Sequence, residues 1–98
     1  MVEDVVGCKW SLTVLHMIRT GIHRPGAMTR EQDGLSTKVL NERLAKLTRY
    51  GILAKEIFAE VPPRVEYHFT DLGTSFLTVL DAIEDLDRRL EALPPSGA

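Results

Sequence analysis

Residues 34–64 hold six basic side chains, Lys38, Arg43, Lys46, Arg49, Lys55 and Arg64, against three acidic ones, Glu42, Glu56 and Glu60. A cation cluster of that density can bind phosphates, and it can do so although the whole chain carries a net charge of −2. Short polar side chains stand among the cations. Ser36, Thr37 and Asn41 have the donors and acceptors that read base edges, and Glu42 can accept from a cytosine amine or pair with Lys38 or Lys46 one helical turn away. The chemistry on offer is recognition of a polyanion.

Other chemistries find less support. Cys8 beside Lys9 has a setting that lowers a thiol pKa, so it can sense an oxidant or sit inert in the core. His16, His23 and His68 lack metal-ligand spacing, so no metal is expected. There is no phosphate-cradling glycine loop, no nucleophile elbow and no placeable catalytic triad, so neither an enzyme nor a cofactor is expected.

The elements that must carry these residues follow from periodicity. Val6, Trp10, Val14 and Met17 recur at helical spacing from about Val5 to Arg19, and Gly21 ends that segment. Pro25 suits the first position of a short helix running to about Glu31. Ser36 is a good N-cap, Leu40, Leu44 and Leu47 fall at i, i+4 and i+7, and Gly51 supplies the stop. The face opposite those leucines carries Lys38, Glu42, Ala45 and Arg49, with Asn41 and Lys46 on its margins.

Two alternating runs, from Ile52 to Glu60 and from Val65 to Thr70, read as strands. The Val61-Pro62-Pro63-Arg64 link cannot continue a ladder and makes a stiff hairpin tip. Thr70 then caps a last helix in which Leu72, Phe76, Val79, Ile83, Leu86, Leu90 and Leu93 form a heptad seam, with Pro94 and Pro95 after it.

The predicted fold is mainly α with a small β-hairpin. It is a winged helix-turn-helix with N- and C-terminal helices for dimerisation, one domain over 1–93 and a disordered tail at 94–98. The helix-turn-helix spans about 24–50, the wing about 52–70 and the last helix about 71–93. With 98 residues, 44% apolar content and no apolar run near the ~18 residues of a membrane span, a cytoplasmic globular domain is expected. A single cysteine and an acidic, signal-free start agree with that expectation.

Three strings, "GCKWSLTVL", "LSTKVLNERLAKLTRYGIL" and "EVPPRVEYHFTDLG", together resemble the HxlR-type (MarR-like) winged-helix transcription regulators of bacteria and archaea. The resemblance covers about Gly7 to Gly73. It implies a homodimer on a two-fold double-stranded DNA operator, with the first and last helices at the dimer interface. Ser36, Thr37, Lys38 and Asn41 would then lie at the DNA-facing start of the recognition helix, and Arg64 at the wing. The family often carries a Cys-Pro pair before its first helix, and here Cys8 lies inside the G-x-K-W segment instead. "HRPGAMTRE" also replaces the usual Arg-Phe-x-Glu-Leu pattern of the second helix.

The expected DNA-contacting residues are Ser36, Thr37, Lys38, Asn41, Glu42, Arg43, Lys46, Arg49 and Arg64. The expected dimer contacts are Val6, Trp10, Leu72, Phe76, Val79, Ile83, Leu86 and Leu90. A homodimeric repressor is the leading reading, with a small-molecule or oxidant effector left open and no membrane partner. A winged-helix module that dimerises and binds protein, and a regulator responsive to thiol chemistry at Cys8, remain as alternatives.

Overall fold

The computed structural model describes residues 1–93, and the predicted tail at 94–98 lies outside them. In chain order the elements are α1 (Val2–Val6), α2 (Lys9–Arg19), α3 (Pro25–Glu31), α4 (Thr37–Arg49), β1 (Leu53–Phe58), β2 (Arg64–Phe69) and α5 (Asp71–Ala92).

The single helix expected from about Val5 to Arg19 is two. Gly7 turns back to donate its N–H to the Glu3 carbonyl, and an added Cβ there would lie 2.9 Å from that oxygen. Cys8 is extended and becomes the N-cap residue of α2. The later stops follow the sequence signals. Gly21 and Gly51 adopt positive φ of 102° and 79° just past α2 and α4. At each, the glycine and the residue after it donate back to the last turn, in the arrangement that closes a helix end with a left-handed residue.

The core is built on α2 and α4. Val14, Leu15 and Ile18 meet the inner face of α4, where Leu40, Leu44 and Leu47 are wholly buried. Met28 from α3, Leu53 from β1 and Phe76 and Leu80 from α5 join it, with Val5, Met17, Leu35 and Ile52. Deleting one of these side chains costs about 2–5 kcal/mol, the usual range for a large-to-small core change.

β1 and β2 pair antiparallel, from Leu53 opposite Phe69 to Phe58 opposite Arg64. Leu53 is buried at the base, yet Ile57 is 65% exposed, because the outer half of the hairpin extends past the core and has nothing beneath that face. Thr70 joins wing, α4 and α5. Its hydroxyl accepts from Gly73 N at 3.0 Å and donates to the Gly51 carbonyl. Its own N–H donates to the Ile52 carbonyl. At Gly73 the helix backbone runs so close to Ile52 that a Cβ would collide with the Ile52 carbonyl oxygen.

Only the first half of α5 packs on the body, through Gly73, Phe76 and Leu80. Residues 86–93 are exposed all round. The radius of gyration of 15.3 Å reflects this projection, since a compact chain of this length has about 13 Å.

Candidate nucleic-acid interface

α4 begins as its sequence requires. Ser36 is extended and its hydroxyl accepts from Val39 N at 3.1 Å, which satisfies one of the free amides of the first turn. The buried leucine face fixes the helix's rotation, so Thr37, Lys38, Asn41, Glu42, Ala45 and Arg49 are all exposed. Among the described residues Lys38, Glu42 and Arg49 carry no ion pair; the expected Glu42 pairing with Lys38 or Lys46 does not form.

Two cations of the sequence-derived set are turned elsewhere. Lys46 Nζ lies 3.0 Å from Asp4 Oδ2, and the Tyr50 hydroxyl donates to the same carboxylate. That hydrogen bond, and then the Lys46 ammonium, hold the Asp4 carboxyl below its ordinary value. Lys46 therefore ties α4 to α1 and is not presented at the exposed face. Arg43 is half-buried, with its Nε enclosed and lacking a hydrogen-bond partner among the described residues, and its charge acts on Cys8.

Arg64 reaches the wing as expected, but it is not free. Its guanidinium lies 3.4 Å from Glu60 and 3.3 Å from Glu66, over the Phe58 ring at 4.0 Å. Glu66 also faces Arg24, the residue before α3, at 4.0 Å. The tip beyond is bare: Val61 is fully exposed, and its peptide bond to Pro62 is cis. At the wing's base, Tyr67 N donates to the His23 carbonyl and the His23 ring bonds the Tyr67 carbonyl at 3.0 Å. The His23 and His68 rings stack at 4.3 Å. The loop before α3 thus pins the wing to the body. Sequence reasoning missed Arg24, Arg30, Glu66 and His23. The only signal was two further arginines, Arg24 at the N-cap of α3 and Arg30 in its last turn, and nothing in linear spacing brings them to the wing.

Cys8 sits at the N-terminus of α2. Burial pushes its thiol up, but the nearby Ser11 hydroxyl and amide, the Arg43 charge and the Trp10 amide outweigh that and leave the pKa below its ordinary value. Among the described residues the buried Ser11 hydroxyl makes no hydrogen bond. Lys9, the cation expected to act on the thiol, instead lies over the Trp10 ring at 5.2 Å.

The heptad seam of α5 divides. Phe76, counted with the seam as a dimer contact, is only 5% exposed and belongs to the subunit's own core. Val79 and Ile83 are half-buried, as are Val6 and Trp10 at the other end of the chain. Leu72, Leu86 and Leu90 are 50%, 56% and 56% exposed. Among the described residues no helix is long and apolar enough to cross a membrane, and no cluster of three or more metal-ligating side chains forms.

A family model described as HxlR-like helix-turn-helix matches residues 5–92. An HTH-type transcriptional regulator of Synechocystis sp. is 39% identical over 85 residues. That alignment takes in 87% of this chain and 63% of the relative, so the chain spans a little under two-thirds of that protein's length. Among solved structures, a MarR-family transcriptional regulator from Enterococcus faecalis V583 superposes with a TM-score of 0.78 at 29% identity, covering 93% of this chain and 86% of that one. The redox regulator HypR in its oxidised form gives 0.81 at 25% identity, covering 90% and 91%.

Proposed function

Because the chain belongs to the HxlR-like helix-turn-helix family, we propose that it is a sequence-specific, DNA-binding transcriptional regulator acting as a homodimeric repressor. In this reading residues 1–93 form one winged helix-turn-helix unit. The start of α4 enters the major groove, where Thr37, Lys38 and Asn41 meet base edges and Arg49 meets the backbone. The wing lies on the backbone or in the minor groove through Arg64, which exchanges Glu60 for a phosphate as it docks. The paired molecule straddles half-sites about one helical turn apart, ~34–36 Å. Occupancy of a promoter would then block transcription.

The observation that carries this reading is the first two turns of α4. A serine cap and three fully buried leucines hold the helix rigidly, while Lys38 and its polar neighbours are exposed and, among the described residues, without ion pairs. Fixed donors that lose little freedom on docking are what groove recognition requires.

Selection of bound duplexes from a random pool, followed by mobility-shift titration of Lys38→Ala, tests it. A palindromic consensus and weakened binding are expected. Wild-type protein that enriches no sequence, with an interaction surface insensitive to salt, would point instead to a protein-binding module.

One observation favours an added thiol response: Cys8 lies at a helix N-terminus beside the unpartnered Ser11 hydroxyl and the Arg43 charge. The likeness to HypR, described as a redox regulator, supports the same reading. Operator affinity measured before and after peroxide, in wild type and Cys8→Ser, decides it. An equal lack of response in both proteins removes the switch.

A further inference from the structure

Arg24 and Arg30, at the two ends of α3, and Arg64, on the wing, line one open cleft of about 520 Å³. Glu66 stands behind two of them. Its side chain is only 18% exposed, and it faces Arg64 Nε at 3.3 Å and Arg24 Nε at 4.0 Å. The Phe58 ring under Arg64 fixes that guanidinium from a second direction. Among the described residues Glu60 is the one carboxylate that lines the cleft itself; it is half-exposed and pairs only with Arg64, at 3.4 Å. Arg30 is exposed and has no ion pair among the described residues. The floor by Pro25, Gly26 and Ala27 is small and lets a ligand approach the backbone.

We propose that this cleft seats a phosphate group of a DNA backbone. A guanidinium fork matches two phosphate oxygens, and Arg holds that geometry with less loss of freedom than Lys. The two carboxylates have opposite tasks here. Glu66, largely enclosed, positions Arg24 and Arg64; Glu60, in water, is the counter-ion a phosphate displaces. The inference rests on the DNA-binding reading and adds to it a sequence-blind contact made by side chains outside α4. A free phosphorylated small molecule would use the same chemistry, and the test separates the two sources.

Because the contact is sequence-blind, a labelled random duplex of about 30 base pairs suffices as the probe. Anisotropy titrations of the full chain across about 50–200 mM NaCl give affinity and salt slope. Arg30→Ala is expected to weaken binding about threefold to tenfold and flatten the slope by about 0.9 for each subunit engaged. Glu60→Gln is expected to tighten it about twofold to fivefold, by removing the competing charge. Arg88→Ala, a control for bulk charge on the exposed end of α5, leaves both quantities unchanged.

If Arg30→Ala keeps the wild-type slope while wild type binds the duplex in a salt-dependent way, the seat is overturned and the DNA reading stands. Wild type that shows no salt-dependent duplex binding overturns both. Inorganic phosphate is titrated at constant ionic strength as a second arm. Saturable binding that Arg30→Ala abolishes, with no effect of that variant on the duplex slope, assigns the cleft to a free ligand and overturns the DNA source.

Discussion

Lys46 Nζ lies 3.0 Å from Asp4 Oδ2, so a cation of α4 is held by α1, 42 positions earlier in the chain. The Tyr50 hydroxyl shares the same carboxylate. This small cluster clamps the N-terminal segment to the end of α4. It also explains why the cations of α4 do not act alike.

The clamp makes stability depend on pH. Asp4 has a folded-state pKa depressed by the Tyr50 hydrogen bond and by Lys46, relative to an ordinary value of 3.8. A depressed carboxyl pKa contributes stability that is present above the unfolded value and lost as pH falls through the folded one. Thermal melts of wild type and Asp4→Asn should therefore differ at neutral pH, with wild type the more stable, and converge as pH drops below 3.8. A gap that persists unchanged into that acid range would assign the effect to something other than this carboxylate.

DNA titrations should separate the lysines of α4. Lys38 is exposed and unpaired among the described residues, whereas Lys46 is engaged by Asp4. Lys38→Ala is expected to cost about 1–3 kcal/mol of binding if it meets a base edge. Lys46→Ala should cost a small fraction of that, and equal losses would contradict the geometry.

Gly73 is placed to be intolerant of any side chain. An added Cβ meets the Ile52 carbonyl oxygen, and the Phe69 ring crowds the same space at 3.0 Å. Gly73→Ala should destabilise by about 1–3 kcal/mol or more by urea denaturation, the range for overpacking. Gly26→Ala, where the nearest atom is the flexible end of Arg30, is the matched control and should be nearly neutral.

Two residues of the same heptad seam should behave oppositely. Leu86→Glu alters a side chain that is 56% exposed within the subunit, so the subunit still folds while sedimentation shifts from dimer to monomer. Phe76→Ala removes a core ring and should cost about 3–5 kcal/mol of stability. Leu86→Glu with an unaltered sedimentation profile would argue against α5 as the dimer contact.

Arg43 rather than Lys9 should set the reactivity of Cys8. Against the burial that raises it, Ser11 and then the Arg43 charge lower the thiol pKa from its ordinary 9.0, while Lys9 lies over the Trp10 ring. With the folded pKa lowered, thiolate forms at a lower pH, so disulfide exchange with a small aromatic disulfide near pH 7.5 is accelerated. Arg43→Gln should slow that exchange severalfold and Lys9→Gln should not, as stopped-flow absorbance would register.

Much of the fold was legible because helices and hairpins are specified locally. The Ser36 and Thr70 caps, Pro25 at the start of α3, the glycines at 21 and 51 and the proline tip all act within a few residues of themselves. The break at Gly7 was missed because the apolar spacing continues across it; only the close approach to the Glu3 carbonyl reveals the turn.

Apart from the break at Gly7, the sequence by itself determined the order of elements, the buried face of α4 and the family, since periodicity, caps and a distinctive wing string all lie along the chain. Tertiary structure alone decided which charges remain available. Asp4 captures Lys46, Glu60 and Glu66 hold Arg64, and Arg24 and Arg30 join the wing across a cleft. An ion pair depends on a separation of a few ångströms between elements, and Coulomb attraction at that range is set by packing, not by distance along the chain.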